Sequence, residues 1–187
     1  MAYKKIKDKK IEEKTTEEKP QFKEKIIQID RVARVVAGGR RFRFRAAVVV
    51  GDNRSHVGIG VAKASEISSA ISKAASYAKK HTIEVPIRGK TVPYQIEETF
   101  GSARVLLKPA SPGTGIIAGG AVRAVLEAAG IHDVLSKILG SANKINNIEA
   151  TFKALKMLGE LDFKNKSRKS LEKDLSSQKN SKLKEKK

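Results

Sequence analysis

The sequence predicts an α+β fold made of two small units that lie between two charged, low-complexity ends. Three observations predict this class: apolar residues alternate with period two between residues 30 and 62, they recur at steps of three and four after residue 66, and a second series of strand and helix patterns begins near residue 82. Alternation puts successive side chains on opposite faces of a strand, whereas steps of three and four keep them on one side of a helix. A chain of 187 residues can form two such units, each with a modest core.

The first unit is predicted as a three-stranded antiparallel sheet followed by a helix. Its strands are expected at about 30–36, 41–50 and 56–62. Gly38-Gly39 can supply the positive φ of a hairpin turn between the first two strands, and a second turn is expected at 51–53. Gly58 and Gly60 share one face of the third strand, which leaves that face open to the close approach of another backbone.

The helix of the first unit has one apolar stripe that can pack on the sheet. This stripe consists of Ile67, Ala70, Ile71, Ala74 and Ala78. Ser65 is the predicted N-cap, and Lys79 and Lys80 in the last turn suit the helix dipole.

The second unit is predicted from short strands punctuated by prolines and from two helices. Its strands are expected at about 82–87, 92–98 and 103–108, and the boundary between the units is placed near Arg88 to Thr91. A helix is predicted from Gly120 to Ala129, with Gly130 as its C′ residue. Residues 134–139 are expected to be buried as a strand or as a helix, and a last helix is predicted over 143–158.

Both ends of the chain are rich in Lys and Glu and cannot bury enough apolar surface to offset the entropy of ordering. We therefore expect tails over 1–21 and 160–187 that are flexible or that order only on a partner. Gly159 is expected to follow the end of the last helix. The domains predicted between the tails are 22–85 and 92–159.

The charge of the chain indicates an acidic partner. Its formal net charge is +19, from 39 Lys+Arg against 20 Asp+Glu, and residues 25–159 alone hold 21 of the basic residues and 9 of the acidic ones. Such an excess favours nucleic acid first and an anionic membrane second. The chain has no cysteine and no apolar run near Met1, and its longest uncharged stretch, 109–122, is too short to span a bilayer. A soluble cytoplasmic protein is therefore expected.

Patterns typical of an enzyme or a metal site are missing from the sequence. His56, His81 and His132 have no neighbouring His, Cys or carboxylate at metal-ligand spacing. Glu97 and Glu98 are adjacent and would point to opposite faces of a strand, so they could not act together as an acid–base pair. Neither G-x-S-x-G nor H-E-x-x-H is present. We expect no catalytic residue, no metal and no cofactor.

Arginine and phenylalanine alternate in the motif RRFRFR, which follows the hairpin glycines. Arg41, Arg43 and Arg45 fall on one face of the strand, and the planar fork of arginine can grip a phosphate in two places. This favours RNA contact over an ordinary solvated strand face. Phe42 and Phe44 could stack on bases, but core packing is favoured because they continue an apolar face further along the strand.

The glycine-rich segment PGTGIIAGG is expected to be a loop that leads into a helix. A strand, a glycine-rich turn and a helix N-terminus together can bind an anion. The glycines match neither G-x-G-x-x-G nor the P-loop. A tight turn, or a contact with RNA phosphate, is therefore favoured over the binding of a free nucleotide.

Three runs of the sequence together resemble one known family: GGRRFRFRAAVVVGD, VGIGVAKASEISSAI and PASPGTGIIAGGAVRAVLEAAGIHDVLSKILGS. Over about residues 22–159 they are similar, in order and spacing, to the universal small-subunit ribosomal protein five in its bacterial form. The resemblance implies a domain like a double-stranded-RNA-binding domain, followed by an α+β domain with an unusual crossover.

The same resemblance implies a structural role in the small ribosomal subunit, on its back between body and head. Proteins of this family bind the subunit's ribosomal RNA, touch ribosomal proteins four and eight, help to line the messenger RNA entry channel, and are linked to decoding accuracy. The hairpin with GGRR reaches toward the head, near the site of spectinomycin action. Together with the candidates above, the predicted RNA-binding residues are Gly38, Gly39, Arg40, Arg41, Arg43, Arg45, Arg54, Lys63, Gly113, Thr114, Gly115 and Arg123.

The sequence departs from the family pattern at two turns. Ala37 stands where a basic residue is common before GGRR, which would remove one phosphate contact. The turn GDNRSHVG has fewer glycines than the family, and we expect Asn53 at positive φ to preserve it in a changed shape. Arg54 in that turn joins the other arginines only if the two loops converge.

Two other classes of function stay open. A free-standing regulator could use the first domain alone on duplex RNA, although the Gly/Pro-rich loop of the second domain argues for more partners. An enzyme like a small-molecule kinase could use PGTGIIAGG, although catalytic carboxylates and magnesium-ligand patterns are missing. The favoured prediction is a non-enzymatic RNA-binding protein that neutralises backbone phosphates, with no membrane partner.

Overall fold

The alternating segments of the first unit form a sheet of four antiparallel strands in a computed structural model, which describes residues 22–163. The strands follow the order β1-β2-β3-β4 and comprise β1 (Lys23–Val36), β2 (Gly39–Gly51), β3 (His56–Ala64) and β4 (Thr82–Glu84). Helix α1 (Ile67–Lys80) connects β3 to β4. The tail expected over 1–21 lies outside the described residues. Of the tail expected over 160–187, residues 164–187 also lie outside them, whereas residues 160–163 are helical and contradict the predicted start of this tail.

The first sheet is larger than the three strands that the sequence predicted. Strand β1 begins at Lys23 rather than near residue 30, and a bulge at Ile27 shifts its register against β2. The charged start of β1 and this bulge hide the period-two alternation on which the prediction depended. The strand predicted at 82–87 is β4, and its three residues pair with β3 at the edge of the same sheet.

Helix α1 packs closely on the sheet because the facing residues are small. A Cβ on Gly58 or Gly60 would lie far inside contact distance of a helix carbonyl oxygen, so the predicted close approach of a backbone is confirmed. The core under the helix contains Ala46, Val48, Val50, Ala70, Ala74, Ala75 and Ala78. The prediction of Ser65 as N-cap is wrong, since the N-cap lies one residue later, at Glu66, and makes no side-chain cap.

The second unit is a mixed sheet with two helices on one face, so the predicted α+β class with two units is confirmed. Its strands follow the order β5-β6-β8-β7, in which β7 and β8 are parallel and the other pairs antiparallel. In chain order the elements are β5 (Ile96–Phe100), β6 (Ala103–Pro109), β7 (Ile116–Ile117), α2 (Gly120–Ala128), β8 (Val134–Ile138) and α3 (144–163). The open alternative for 134–139 is thus decided in favour of a strand. The predicted burial holds for Val134 but is wrong for Leu135 and Leu139, which are exposed because the strand buries only one of its faces.

Only one of the two helices of the second unit ends at the predicted glycine. Helix α2 closes as predicted, with Gly130 at φ +82° and with N–H groups of Gly130 and Ile131 that donate to the carbonyls of Glu127 (3.0 Å) and Leu126 (3.1 Å). Helix α3 instead continues through Gly159 to the last described residue. Leu158, which precedes this glycine, is buried in the apolar core and holds the helix in place, which helix propensity alone does not reveal.

One apolar core joins the two units. Val49, Val57 and Ile59 of the first sheet are buried in the same cluster as Val105 and Leu107 of the second sheet. Strand β2 therefore has α1 on one face and the second unit on the other. This explains why six consecutive residues at the end of β2 are buried, where an alternating pattern would leave every other one exposed.

Candidate nucleic-acid interface

The hairpin between β1 and β2 projects beyond both parts of the core. The residues of β2 from Gly39 to Arg43 are exposed, whereas those from Ala46 to Gly51 are buried. Val36 pairs with Gly39 across the turn, and Gly39 takes the positive φ, at +122°. The predicted hairpin is therefore present. Gly38 and Gly39 lie at its tip in open space, where a Cβ on either residue would meet no atom within 4 Å.

Arginines occupy both faces of this projecting hairpin. Arg34 lies opposite Arg41, and Arg43 follows on the same face, whereas Arg31 and Arg40 belong to the other face. We call these five residues the arginine ribbon. Arg31 and Arg34 were absent from the predicted site, although the two-residue turn fixes a register that pairs Arg34 with Arg41.

The prediction that Phe42 belongs to the core is wrong. Its side chain is 46 % exposed, and the guanidinium of Arg31 lies 3.8 Å from its ring centroid. Phe44, two residues nearer the domain, is half-buried against the first core. The apolar face ends between these two residues because the hairpin extends past helix α1. The cation–π pair leaves an arginine stacked on an aromatic ring at the surface.

Arg45 lies at the base of the ribbon, where a carboxylate already balances its charge. Its Nη2 and Nε donate to Asp30 Oδ2 at 2.7 and 3.2 Å. The hydrogen bond from Arg45 holds the pKa of Asp30 below its ordinary value. Lys63 is exposed on β3, directly beside Arg45. At this position Lys63 is therefore better placed than Arg45 to offer a free positive charge.

Arg54 lies at the opposite end of β2 from the arginine ribbon, so the two loops do not converge. The strand between them has 13 residues, which corresponds to roughly 40 Å. The turn at Arg54 is organised by Asp52, whose Oδ1 accepts N–H bonds from Arg54 (2.9 Å), Ser55 (3.1 Å) and His56 (2.9 Å). Asn53 has φ +56°, as predicted from its tolerance of this conformation.

The glycine-rich loop holds an anion that belongs to the chain itself. The N–H groups of Gly113 and Gly115 donate to Asp133 Oδ1 at 3.0 and 2.9 Å, and Asp133 is buried. Both glycines have positive φ, at +89° and +75°. Two amides that converge on one point make the kind of nest that binds phosphate, but here a carboxylate fills it.

The remaining loop candidates are therefore side chains. Thr114 is exposed between the two glycines, and its Oγ1 donates to the carbonyl of Ser111 at 2.7 Å. Arg123 is exposed in the first turn of α2, which the two-residue strand β7 separates from the loop. Loop and helix N-terminus thus do not form the continuous strand–turn–helix anion site that the sequence suggested.

Residues 22–163 offer no alternative site built on a metal ion. They contain no group of three or more His, Cys, Asp or Glu side chains that could hold one. His56 is engaged by its neighbour, with Nδ1 2.7 Å from Asp52 Oδ2. Among the helices in this range, none is both long and apolar enough to cross a bilayer.

Comparison with known proteins identifies the family. Models described as "Ribosomal protein S5, N-terminal domain" and "Ribosomal protein S5, C-terminal domain" match residues 22–86 and 98–168. The "Small ribosomal subunit protein uS5" of Chloroflexus aurantiacus is 52 % identical over 143 residues, which cover 76 % of this chain and 80 % of the relative. The chain belongs to the ribosomal protein S5 family.

The S5 protein of Thermus thermophilus, also called "Small ribosomal subunit protein uS5", is 53 % identical over 137 residues, or 73 % of this chain and 85 % of the relative. The resemblance drawn from the three sequence runs is confirmed by these matches. As a member of the S5 family the chain is a ribosomal protein and not an enzyme.

Proposed function

We propose that this S5 protein is a structural component of the small ribosomal subunit and that it binds the subunit's ribosomal RNA through the arginine ribbon. The observation that carries the proposal is the position of these arginines on a hairpin that projects beyond both cores. Residues 31–51 contain six arginines and no Asp or Glu. The exposed end of the hairpin therefore presents concentrated positive charge, and the nearest carboxylate, Asp30 at its base, is paired with Arg45.

Physical chemistry favours RNA as the partner of this surface. Guanidinium groups bind phosphate oxygens in a planar, two-point geometry, and neutralising crowded phosphates releases counterions. The ribbon has arginines on both faces, so it suits insertion between two RNA segments rather than attachment to one flat surface. Arg31 stacked on Phe42 adds a planar group that can lie against an unstacked base.

The finer placement follows from the family resemblance and is part of the same proposal. On this view the protein lies between body and head, with the ribbon directed toward the head and the spectinomycin site. The opposite surfaces meet ribosomal proteins four and eight and help to line the messenger RNA entry region, where the protein supports translational accuracy. Lys63, Arg54, Thr114 and Arg123 are the other side chains that we propose to contact RNA.

The test is the double substitution Arg40→Ala/Arg41→Ala. We expect the purified protein to bind small-subunit ribosomal RNA more weakly, and the plot of log affinity against log salt to become shallower by about one unit for each phosphate that the variant no longer neutralises. Fewer copies should sediment with small subunits at high salt. Because both side chains are exposed, circular dichroism should show an intact fold.

A charge-matched control is Lys73→Ala/Lys156→Ala, which removes two exposed lysines from helices α1 and α3, away from the hairpin. It should change the salt slope less than the ribbon variant does. Equal effects of the two pairs would mean that the hairpin is not a specific contact. A chain that sediments outside ribosomal particles would favour the duplex-RNA regulator, and tight ATP binding would favour the kinase-like enzyme.

A further inference from the structure

A cleft opens where the start of β1 meets the N-terminal ends of helices α2 and α3. Its volume is about 590 Å³, which is within the range of small-molecule sites. Gly120, the first residue of α2, and Lys144, the first residue of α3, both line it. The other walls are mostly aliphatic and include Ile26, Ile27, Ala121, Ala124 and Ile138. We call this space the helix-end cleft. The tip of the arginine ribbon lies at the other end of β1.

Both helix N-termini bring positive charge to the helix-end cleft. Helix α2 has no side-chain cap and no acidic residue in its first turn, so its first N–H groups keep their partial charge. A Cβ on Gly120 would meet no atom within 4 Å, which leaves the approach to this helix end open. Asn143 caps α3, since its Oδ1 accepts from the Ile145 N–H at 3.1 Å. Lys144 then opposes the dipole of α3, an arrangement that a bound anion would relieve.

No ion pair neutralises Lys144. Its side chain is exposed, and it takes part in none of the ion pairs found among residues 22–163. The hydrogen bond from Arg45 lowers the pKa of Asp30 most, and the charge of Lys144 adds to this effect, but Asp30 is paired with Arg45. Lys25 also lines the cleft and is paired with Glu127. Of the two lysines in the cleft, Lys144 is therefore the one that can bind an anion.

A buried amide in the same cleft has an oxygen without a hydrogen-bond partner. Asn147 is 1 % exposed and lines the cleft. Its main chain is used within α3, where its N–H donates to the Asn143 carbonyl at 3.0 Å and its carbonyl accepts from Thr151 Oγ1 at 2.7 Å. Its side-chain Oδ1 accepts from no donor among residues 22–163. Because a buried acceptor without a partner costs stability, this oxygen indicates a ligand that donates a hydrogen bond.

We propose that the helix-end cleft binds a ribose phosphate. The phosphate lies at the N-terminus of α2 beside Lys144, because unpaired N–H groups and a free ammonium group suit an oxyanion. A hydroxyl group of the sugar donates to Asn147 Oδ1, and the aliphatic walls contact the carbon skeleton. Free nucleotides and unpaired nucleotides of RNA both carry this group. The site shares no residue with the arginine ribbon, so the inference goes beyond the proposed function.

The experiment is a nuclear magnetic resonance titration of the purified full chain labelled with nitrogen-15. We expect ribose 5-phosphate to shift the backbone amide signals of Gly120 and Ala121 and the side-chain NH₂ signals of Asn147, and to saturate them. Methyl phosphate is the comparison ligand, because at about pH 8 it is a dianion without a donor group. It should shift the same backbone signals but bind about tenfold more weakly. The lack of saturable shifts at these positions would overturn the inference.

Three variants divide the two halves of the ligand between the two sides of the cleft. Asn147→Leu removes the acceptor and should weaken ribose 5-phosphate at least about tenfold, while methyl phosphate changes less than about twofold. Lys144→Gln should weaken both ligands at least about threefold. Lys73→Gln removes an exposed lysine of α1 as the control and should change neither. Equal losses for both ligands in Asn147→Leu, or equal effects of the two lysine variants, would contradict the proposal.

Thermal unfolding of the chain without ligand gives a second readout. Because Asn147 Oδ1 has no partner in the chain, Asn147→Leu should raise the midpoint of unfolding even though it abolishes the binding of the sugar. A lower midpoint would show that the amide serves the fold itself, and the inference would lose the observation that distinguishes the cleft from an ordinary helix end.

Two single-stranded oligonucleotides of the same sequence, one of RNA and one of DNA, distinguish the sources of the ligand. If RNA supplies the group, the RNA oligomer should shift the same signals, and the DNA oligomer should bind more weakly because it lacks the 2′-hydroxyl. If ribose 5-phosphate alone shifts them, the ligand is a free nucleotide or sugar phosphate. Arg40→Ala/Arg41→Ala should leave the binding of ribose 5-phosphate unchanged, so the cleft and the ribbon can fail separately.

Discussion

Asp52 shows how one carboxylate can replace the glycines of a turn. Its side chain is only 6 % exposed, and it accepts three backbone N–H bonds and faces the ring of His56. Burial alone would raise the pKa of Asp52, but the backbone donors and the His56 ring hold it far below its ordinary value. The carboxylate therefore stabilises the folded state only while it is ionised.

Replacing Asp52 should destabilise the protein because the turn loses these acceptors. We expect Asp52→Ala to lower the free energy of unfolding by about 2–3 kcal/mol at neutral pH, since hydrogen bonds to a charged acceptor are stronger than neutral ones. Asp52→Asn keeps an acceptor oxygen and should lose about half as much. Urea denaturation followed by circular dichroism measures both, and equal stability of wild type and Asp52→Ala would contradict the role given to this turn.

The pH dependence of stability distinguishes the contribution of the Asp52 charge from the contribution of its side-chain shape. A carboxyl group with a depressed pKa contributes stability above its ordinary value of about 3.9 and loses that contribution as the pH falls toward the folded-state value. The stability difference between wild type and Asp52→Asn should therefore shrink as the pH falls below about 4. A difference that stays constant under strongly acidic conditions would show that the charge contributes nothing.

At the scale of elements, helix α1 depends on two glycines of its neighbouring strand. The carbonyl oxygens of Ala74 and Ala78 lie where the Cβ atoms of other residues at 60 and 58 would have to be. The helix in turn presents mainly alanine to the sheet. This pairing of small residues brings the backbone of α1 nearer to the strand than side chains of ordinary size would allow.

We predict that Gly60→Ala destabilises the first unit by about 3 kcal/mol or more, because the new methyl group meets a backbone carbonyl and not a movable side chain. Gly120→Ala is the matched control. It adds the same methyl group in the first turn of α2, where nothing lies within 4 Å, and it should be neutral or slightly stabilising. Thermal unfolding compares the two variants. Similar midpoints for Gly60→Ala and Gly120→Ala would show that α1 can move away from β3 to accommodate the methyl group.

At the scale of the whole molecule, the two units share buried residues and should unfold together. Strand β2 contributes alternate side chains to the core under α1 and to the core of the second unit. Loss of either core removes one of the two surfaces that hold this strand. The family models divide the chain into N- and C-terminal domains, but we expect the two domains to unfold in one transition because they share a core.

Truncation of one core residue in each unit tests this cooperativity. Leu107→Ala in the second unit should cost about 2–5 kcal/mol and should lower the hydrogen-exchange protection of β2 amides in the first sheet as well. Val48→Ala in the first core is the reciprocal variant and should lower protection in β6. If each substitution affects only its own unit, the shared cluster does not couple them.

Much of this architecture could be predicted from short-range patterns. The period-two alternation after residue 40, the glycines at 58 and 60, and Gly130 as a C′ residue each encode a local requirement that the structure meets. The hairpin of the candidate site could be predicted for the same reason, since its turn and its arginines lie within a few residues of one another. The residue-level RNA contacts stay predictions.

The features that sequence reasoning missed depend on partners distant in the chain. The hydrogen bond from the Gly113 N–H to Asp133 joins residues that are 20 positions apart, and no local pattern predicts it. Phe42 is exposed because helix α1 does not extend far enough to cover it. Its exposure therefore depends on the relative lengths of the helix and the hairpin, which the alternation of apolar residues does not indicate. The continuation of α3 through Gly159 depends on what the helix packs against, which outweighs the low helix propensity of one residue.

The carboxylate of Asp133 has a consequence for how the glycine-rich loop behaves during assembly of the particle. A resident negative charge, tethered to the chain, occupies the point at which an incoming phosphate would otherwise bind. The backbone there is already ordered before any ligand arrives, so docking costs little entropy at this point. Because the N–H groups of Gly113 and Gly115 already donate to Asp133, they are not available to another molecule. A neighbouring molecule must therefore bind the outer surface of this loop.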